Sequence, residues 1–271
     1  RSASAPGTAA APPVPDGFRA ALGRSLDAAR GAHSDADVLH WITERRTRAE
    51  VRVRRVPLAG MPGWRHDGTT VSPTAVAAHD GRSFEVVGVT VGTAGREVDA
   101  WSQPMIRPLG TSLAAFLTAR IDGVLHVLAR ALPEPGCSDV LELAPTVQCG
   151  PGVLASAAHP GRPRPPYLDD VLTAAPERVR YAATLSEEGG RLYHARGRYL
   201  IVETDADVTG GADSAGGGGG EPPDFRWLTL RQFGALLPHS HYVNVQARSL
   251  LACLYSLAAA PAARAPDVPL R

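Results

Sequence analysis

Between Leu125 and Gln148 the chain reads LHVLARALPEPGCSDVLELAPTVQ, and its ionisable and amide groups fall at intervals of two or at a turn: His126, Arg130, Glu134, Glu142 and Gln148. Residues i and i+2 of a strand share a face, so Val124, His126, Leu128, Arg130 and Leu132 form one face and Leu125, Val127, Ala129 and Ala131 the other. The second face is apolar and must be core. The first either lines a cleft or meets solvent, and the cleft reading gains from Glu142 and Gln148 on the strand expected after the Glu134-Pro135-Gly136 turn. A histidine near a carboxylate is a general base with an orienting partner.

Two further groups could bind a ligand. Trp101 and Gln103 end an apolar strand before Pro104, where a flat ring could stack on a base or sugar or simply join the core. Arg191, Tyr193, Arg196 and Arg198 follow Glu187-Glu188-Gly189-Gly190, so a glycine-flanked turn leads into arginines that could grip a pyrophosphate or form a solvated strand edge. The chain has no GxxxxGK[ST] loop, GxGxxG, GxSxG or HExxH motif. Asp35 and Asp37 read as helix caps, not metal ligands.

The elements that must carry these groups are read from periodicity. Helical spacing covers residues 39–48, 111–120, 228–236 and 245–257, with Thr229 as a cap. Period two, or a short apolar run, marks strands over 51–56, 84–91, 98–106, 124–132, 140–147, 179–185 and 192–202. The expected fold is α+β, a mixed and largely antiparallel sheet packed between helices.

The 271 residues are 44% hydrophobic, enough for a substantial core. Ala, Ser and Pro at the start, five glycines at 216–220 and Ala/Pro at the end predict a disordered tail over 1–35, one domain over 36–257 with a flexible loop at 205–224, and a second tail over 258–271. A net charge of +1 gives no footprint for nucleic acid or an acidic membrane surface. There is no lysine, which removes Schiff-base chemistry and a lysine base. Cys137, Cys149 and Cys253 lack zinc-ligand spacing, and no apolar stretch approaches a membrane span, so a reduced cytoplasmic protein is expected.

A set of short motifs, in order over residues 51–254, resembles the NDP-hexose 2,3-dehydratases of deoxysugar biosynthesis. They are Val56-Pro57-Leu58 with Gly63-Trp64, Trp101-Ser102-Gln103-Pro104, Asp122-Gly123-Val124-Leu125-His126, Glu134-Pro135-Gly136 and Ala144-Pro145-Thr146-Val147-Gln148. Pro166-Tyr167-Leu168, Ser186-Glu187, Tyr193, Arg196, Arg198, Glu203, Trp227-Leu228-Thr229-Leu230, Val243-Asn244, Arg248 and Cys253 continue the set. The resemblance implies a fold similar to Nudix hydrolases without their metal-binding signature, hence no metal and no cofactor. It also departs in places. Leu132 stands for lysine, Arg130 and Glu188 for glutamine, Glu142 for an uncharged residue, Gly197 and Tyr199 for asparagines, and residues 150–154 for a segment that commonly holds Ser-Asn-Tyr.

The resemblance implies an acid–base elimination of water from a nucleotide-linked 4-keto-6-deoxyhexose. A base removes the C3 proton, acidified by the C4 ketone, and an acid helps the C2 hydroxyl leave. His126, Glu142, Gln148 and Tyr193 are the candidate catalytic residues, with His126 or Glu142 as the base. Trp101, Gln103, Arg130, Glu188, Arg196, Arg198, Asn244 and Arg248 are the candidate substrate-binding residues. Arg130, Gln148 or Tyr193 could stabilise the enolate. The departures keep two other readings open: a repurposed lyase, cyclase or isomerase acting on another natural-product intermediate, and a non-catalytic nucleotide-sugar-binding module. Family members carry two tandem modules and this chain has length for one, so a homodimer is expected to restore the pairing.

Overall fold

The computed structural model describes residues 14–29, 31–74, 84–95, 98–157, 164–205 and 221–259. The helices are α1 (Asp16–Asp27), α2 (Asp35–Arg48), α3 (Pro151–Ala157), α4 (Leu168–Leu172), α5 (Leu230–Leu236) and α6 (Val245–Ala259). The strands are β1 (Trp64–His66), β2 (Thr70–Pro73), β3 (Phe84–Gly92), β4 (Ala100–Pro108), β5 (Ser112–Ile121), β6 (Val124–Pro133), β7 (Leu141–Ala144), β8 (Val147–Cys149), β9 (Val179–Ser186), β10 (Arg196–Glu203) and β11 (Phe225–Leu228).

β5 is the middle of the fold, and its sequence shows why. Ala114 and Phe116 enter a core formed with α1, α2, α5 and α6, whereas Leu113, Ala115, Leu117 and Ala119 enter a second core with α3 and α4. A strand buried on both faces needs apolar residues on both. This corrects the helix expected at 111–120: with no polar side to mark alternation, the apolar run mimics helical spacing. The same double burial corrects the reading of β6, whose first face, the one carrying His126, is not a cleft wall or solvent-facing throughout, since Leu128 is 1% exposed and His126 2%.

β5 belongs to a seven-stranded sheet ordered β11-β6-β5-β10-β9, with β7 paired to β6 and β8 to β5. Among the strand pairs of the described residues β5 and β10 run parallel and the others antiparallel, so the sheet is mixed, largely antiparallel and lies between helices, an α+β fold. A separate antiparallel sheet, β1-β2-β3-β4, precedes it.

The sheet forks where the site forms. β5 and β6 pair from Ile121↔Val124 to Thr118↔Val127 and then separate; β7 continues along β6 and β8 along β5. Fully buried Thr146 closes the apex: its Oγ1 accepts from Leu117 N–H at 3.0 Å and donates to the Leu128 carbonyl at 2.6 Å. Both backbone groups would otherwise be buried without a partner. Thr146→Val is therefore expected to cost about 1–3 kcal/mol, the penalty for stranding buried polar groups, measured by urea unfolding.

Other expectations shift as well. The tail placed at 1–35 contains α1, whose Phe18, Ala21 and Leu22 are core residues; residues 1–13 lie outside the described residues. The strand expected at 51–56 has no regular structure and is mostly exposed, and among the described residues no neighbour supplies ladder bonds. Strand 140–147 is split by Pro145 into β7 and β8. The loop and tail expectations at 206–220 and 260–271 lie outside the described residues. Thr229 caps α5 with a capping box, as expected. At α2 the cap is Ser34, and Asp37 completes its box.

Candidate active site

Alternation along β8 puts Val147 and Cys149 in the core with α3 and α4, which turns Gln148 toward α6. There Gln148 is held from two sides. Its Oε1 accepts from Asn244 Nδ2 at 2.8 Å, and its Nε2 donates to both Glu134 carboxylate oxygens at 3.3 Å. Asn244 is itself fixed, because its Oδ1 accepts from Ala247 N–H at 2.9 Å and caps the first turn of α6. Arg248, exposed, sits one turn further along the helix.

Glu134 is the group this arrangement serves. Burial pushes its carboxyl above the usual range, the Gln148 bond pulls it down, and nearby Glu142 raises it further. Arg130, half-buried, acts on it from the other side and stands 5.7 Å over the Phe225 ring. Desolvation lowers the Arg130 pKa and lifts the Cys149 thiol to about 11. Arg130, Glu134, Glu142, Gln148 and Asn244 thus gather at the fork. Sequence reading treated Glu134 as a turn residue; its position directly after β6 and before Pro135-Gly136 was the available signal.

His126 is not brought to this cluster. It lies at the other end of β6, opposite Ala119, and both ring nitrogens are used: Nε2 accepts from Ala32 N–H at 3.0 Å and Nδ1 bonds the Val124 carbonyl at 3.0 Å. It fastens the α1–α2 connection to the sheet. Burial lowers its pKa, more than the bond to Val124 raises it. The folded state therefore holds the ring neutral while the unfolded chain takes up a proton below about pH 6.5. This contribution to stability is complete above that pH and is lost as pH falls below it. His126→Gln is expected to flatten the fall in urea midpoint between neutral pH and mildly acidic pH; an unchanged slope contradicts the assignment.

The remaining candidates form a second group on the β9–β10 connection. Trp101 Nε1 donates to Gln103 Oε1 at 2.7 Å, and Gln103 Nε2 donates to the Gly190 carbonyl. Ile106 N–H donates to the Arg191 carbonyl at 3.0 Å and Tyr193 N–H to the Ile106 carbonyl at 2.7 Å, so β4 anchors this connection. Trp101 is thus tied to backbone through Gln103. Arg191 pairs with Glu188, and the Tyr193 ring meets His194 edge-on at 4.3 Å. Arg196 and Arg198 are exposed on β10. Because Gly197 pairs with Ser112 and Leu113 with Cys149, this connection and the fork lie at one end of the sheet.

A half-buried carboxyl with a raised pKa can act as a proton donor, and the amide and arginine beside it can stabilise a developing oxyanion. Among the described residues no group of three or more His, Cys, Asp or Glu side chains is placed to hold a metal ion. No described helix is long and apolar enough to cross a membrane.

A family model described as NDP-hexose 2,3-dehydratase matches residues 35–254. Similar proteins include a dTDP-4-dehydro-6-deoxy-alpha-D-glucopyranose 2,3-dehydratase of Saccharopolyspora spinosa, 43% identical over 89% of this chain and 46% of its own length. Proteins of the same name from Amycolatopsis orientalis (43% identical, 86% of this chain, 45% of its own length) and Streptomyces violaceoruber (42%, 83% and 47%) match alike. The chain spans about half the length of these relatives. Among solved structures it is similar to an ADP compounds hydrolase (TM-score 0.39, 13% identity, 69% of this chain and 89% of that one). A Nudix hydrolase from M. smegmatis is also similar (TM-score 0.30, 14% identity, 55% and 86%). Both likenesses are loose.

Proposed function

Because the chain belongs to the NDP-hexose 2,3-dehydratase family, we propose that it takes part in removing water across C2 and C3 of a dTDP-linked 4-keto-6-deoxyhexose, with the fork as the reacting end. The observation that carries this reading is Glu134, a desolvated carboxyl held by Gln148 and raised in pKa. Protonated, it can give its proton to the departing C2 hydroxyl, which leaves as water. Glu142 keeps that proton in place by like-charge repulsion, and Arg130 faces charge that builds on the C4 oxygen. Both steps are proton transfers, for which side chains suffice. The C3 proton goes to a carboxylate, since both nitrogens of His126 are already bonded.

Arg248 on α6 and Arg196 and Arg198 on β10 are the cations we assign to the pyrophosphate, and Trp101, Gln103, Glu188 and Tyr193 the wall beside it. The relatives' length supports a second unit beside this one, and two copies of the chain would supply it. Sedimentation at micromolar concentration is expected to show a dimer, and a single monomeric boundary contradicts that part. The binding test is thermal unfolding with dTDP and dTDP-glucose. At a hundredfold the dissociation constant either should stabilise the fold by about 2.7 kcal/mol. No shift with either ligand rejects the nucleotide-sugar reading.

A further inference from the structure

We propose that Glu187 is the base of this elimination and that Tyr199 is its positioning residue, an inference that rests on the dehydratase reading of the site.

Register places these residues opposite Glu134. Tyr199 on β10 and Gln148 on β8 both pair with Ala114 of β5, one from each side, so the three form a single row across the sheet. Directly paired residues share a face, and Ala114 and Tyr199 lie in the core beneath α6, the side to which Gln148 also turns. With neighbouring strands roughly 4.8 Å apart, the two polar residues stand about 10 Å from each other.

Each end of the row carries a carboxylate. Gln148 holds Glu134, and the Tyr199 hydroxyl donates to Glu187 Oε1 at 2.9 Å. Tyr199 is 3% exposed and cannot swing away, whereas Glu187 is half-buried at the rim. The backbone at Glu187 is also fixed, its N–H donating to the Ala195 carbonyl at 3.0 Å. Between the two carboxylates the strands carry only Ala114, Ser112 and Gly197 on this face.

Gly197 shows that the seat of Glu187 is built. A Cβ there would fall 2.8 Å from Tyr199 Cε2 and on top of the Glu187 carboxylate oxygen, with Ser112 Oγ at 3.0 Å. The absence of a side chain is what lets the carboxylate lie across β10 within reach of the tyrosine. Nothing in sheet pairing requires glycine at this point.

The pair of carboxylates fits the two proton transfers. The C3–H bond breaks to the Glu187 carboxylate, its electron pair becomes the C2–C3 double bond, and the C2–O bond breaks. The hydroxyl leaves with the Glu134 proton as water, so atoms and charge balance with no oxidant or reductant.

The test is turnover of the dTDP-linked 4-keto-6-deoxyhexose, with dTDP-induced thermal stabilisation measured on the same samples. Glu187→Gln is expected to keep the dTDP shift and lose about a hundred- to ten-thousand-fold in turnover, the range for removing a general base. Tyr199→Phe removes the hydrogen bond that positions the carboxylate, so kcat should fall while KM and the dTDP shift stay at their wild-type values. Near-normal turnover in Glu187→Gln, or an unchanged kcat in Tyr199→Phe, overturns the role of Glu187 alone. A wild-type chain without turnover overturns the dehydratase reading and this role with it.

Discussion

Glu134→Gln is expected to leave the protein folded and to lower turnover of the 4-keto-6-deoxy sugar nucleotide by about a hundred- to ten-thousand-fold, the usual contribution of a general acid. Glutamine keeps the shape and can still exchange a hydrogen bond with Gln148, but it has no proton to give. The stability effect has the opposite sign. Burial raises the folded pKa of Glu134 above its unfolded value, so ionising it costs stability as pH rises from about 4.5 through the folded pKa. Removing the charge should hold or raise the urea midpoint at neutral pH. Loss of activity with unfolding would attribute the defect to the scaffold, and retained activity would remove Glu134 from the mechanism.

Phe116→Ala should have the largest effect on stability, about 3–5 kcal/mol by urea or thermal unfolding, as for other fully buried phenylalanines. Phe116 is wholly buried on the central strand and meets the Phe233 ring of α5 at 5.9 Å. The helix–sheet layer around it cannot collapse to fill the space without pulling α5 inward. The next residue, Leu117, donates its N–H to Thr146 at the fork apex, so the loss should also loosen the site. A cost under about 1 kcal/mol would show that the layer repacks freely.

Elements with local signatures were legible from the chain. The alternation of β6, the amphipathic pattern of α6 and the Thr229 cap of α5 each depend on neighbours within a few residues. β5 was misread because a strand buried on both faces loses the period that identifies it. Residues 51–56 show the converse, a strand pattern without a partner to pair with.

The candidate site divides the same way. Gln148 and the Glu134 turn are separated by 14 positions and a hairpin-like path, so their meeting could be anticipated. The bond from Asn244 to Gln148 closes over 96 positions, and the one that occupies His126 over 94. Histidine on a strand face looks the same in sequence whether it lines a cleft or pins a loop. Only the Ala32 N–H pointing at its ring distinguishes the two. Tyr199 and Glu187 could not be paired with the fork from sequence, because their relation to it depends on a shared row through Ala114, a property of register and not of spacing.

The reaction proposed for the forked end of the sheet is loss of water from a 4-keto-6-deoxyhexose linked to dTDP. Its most direct test is mass spectrometry of that sugar nucleotide after incubation with the purified chain. A product lighter by one water is expected, formed by the wild type and not by Glu134→Gln. A substrate returned unchanged by a folded, dTDP-binding wild-type protein would contradict it.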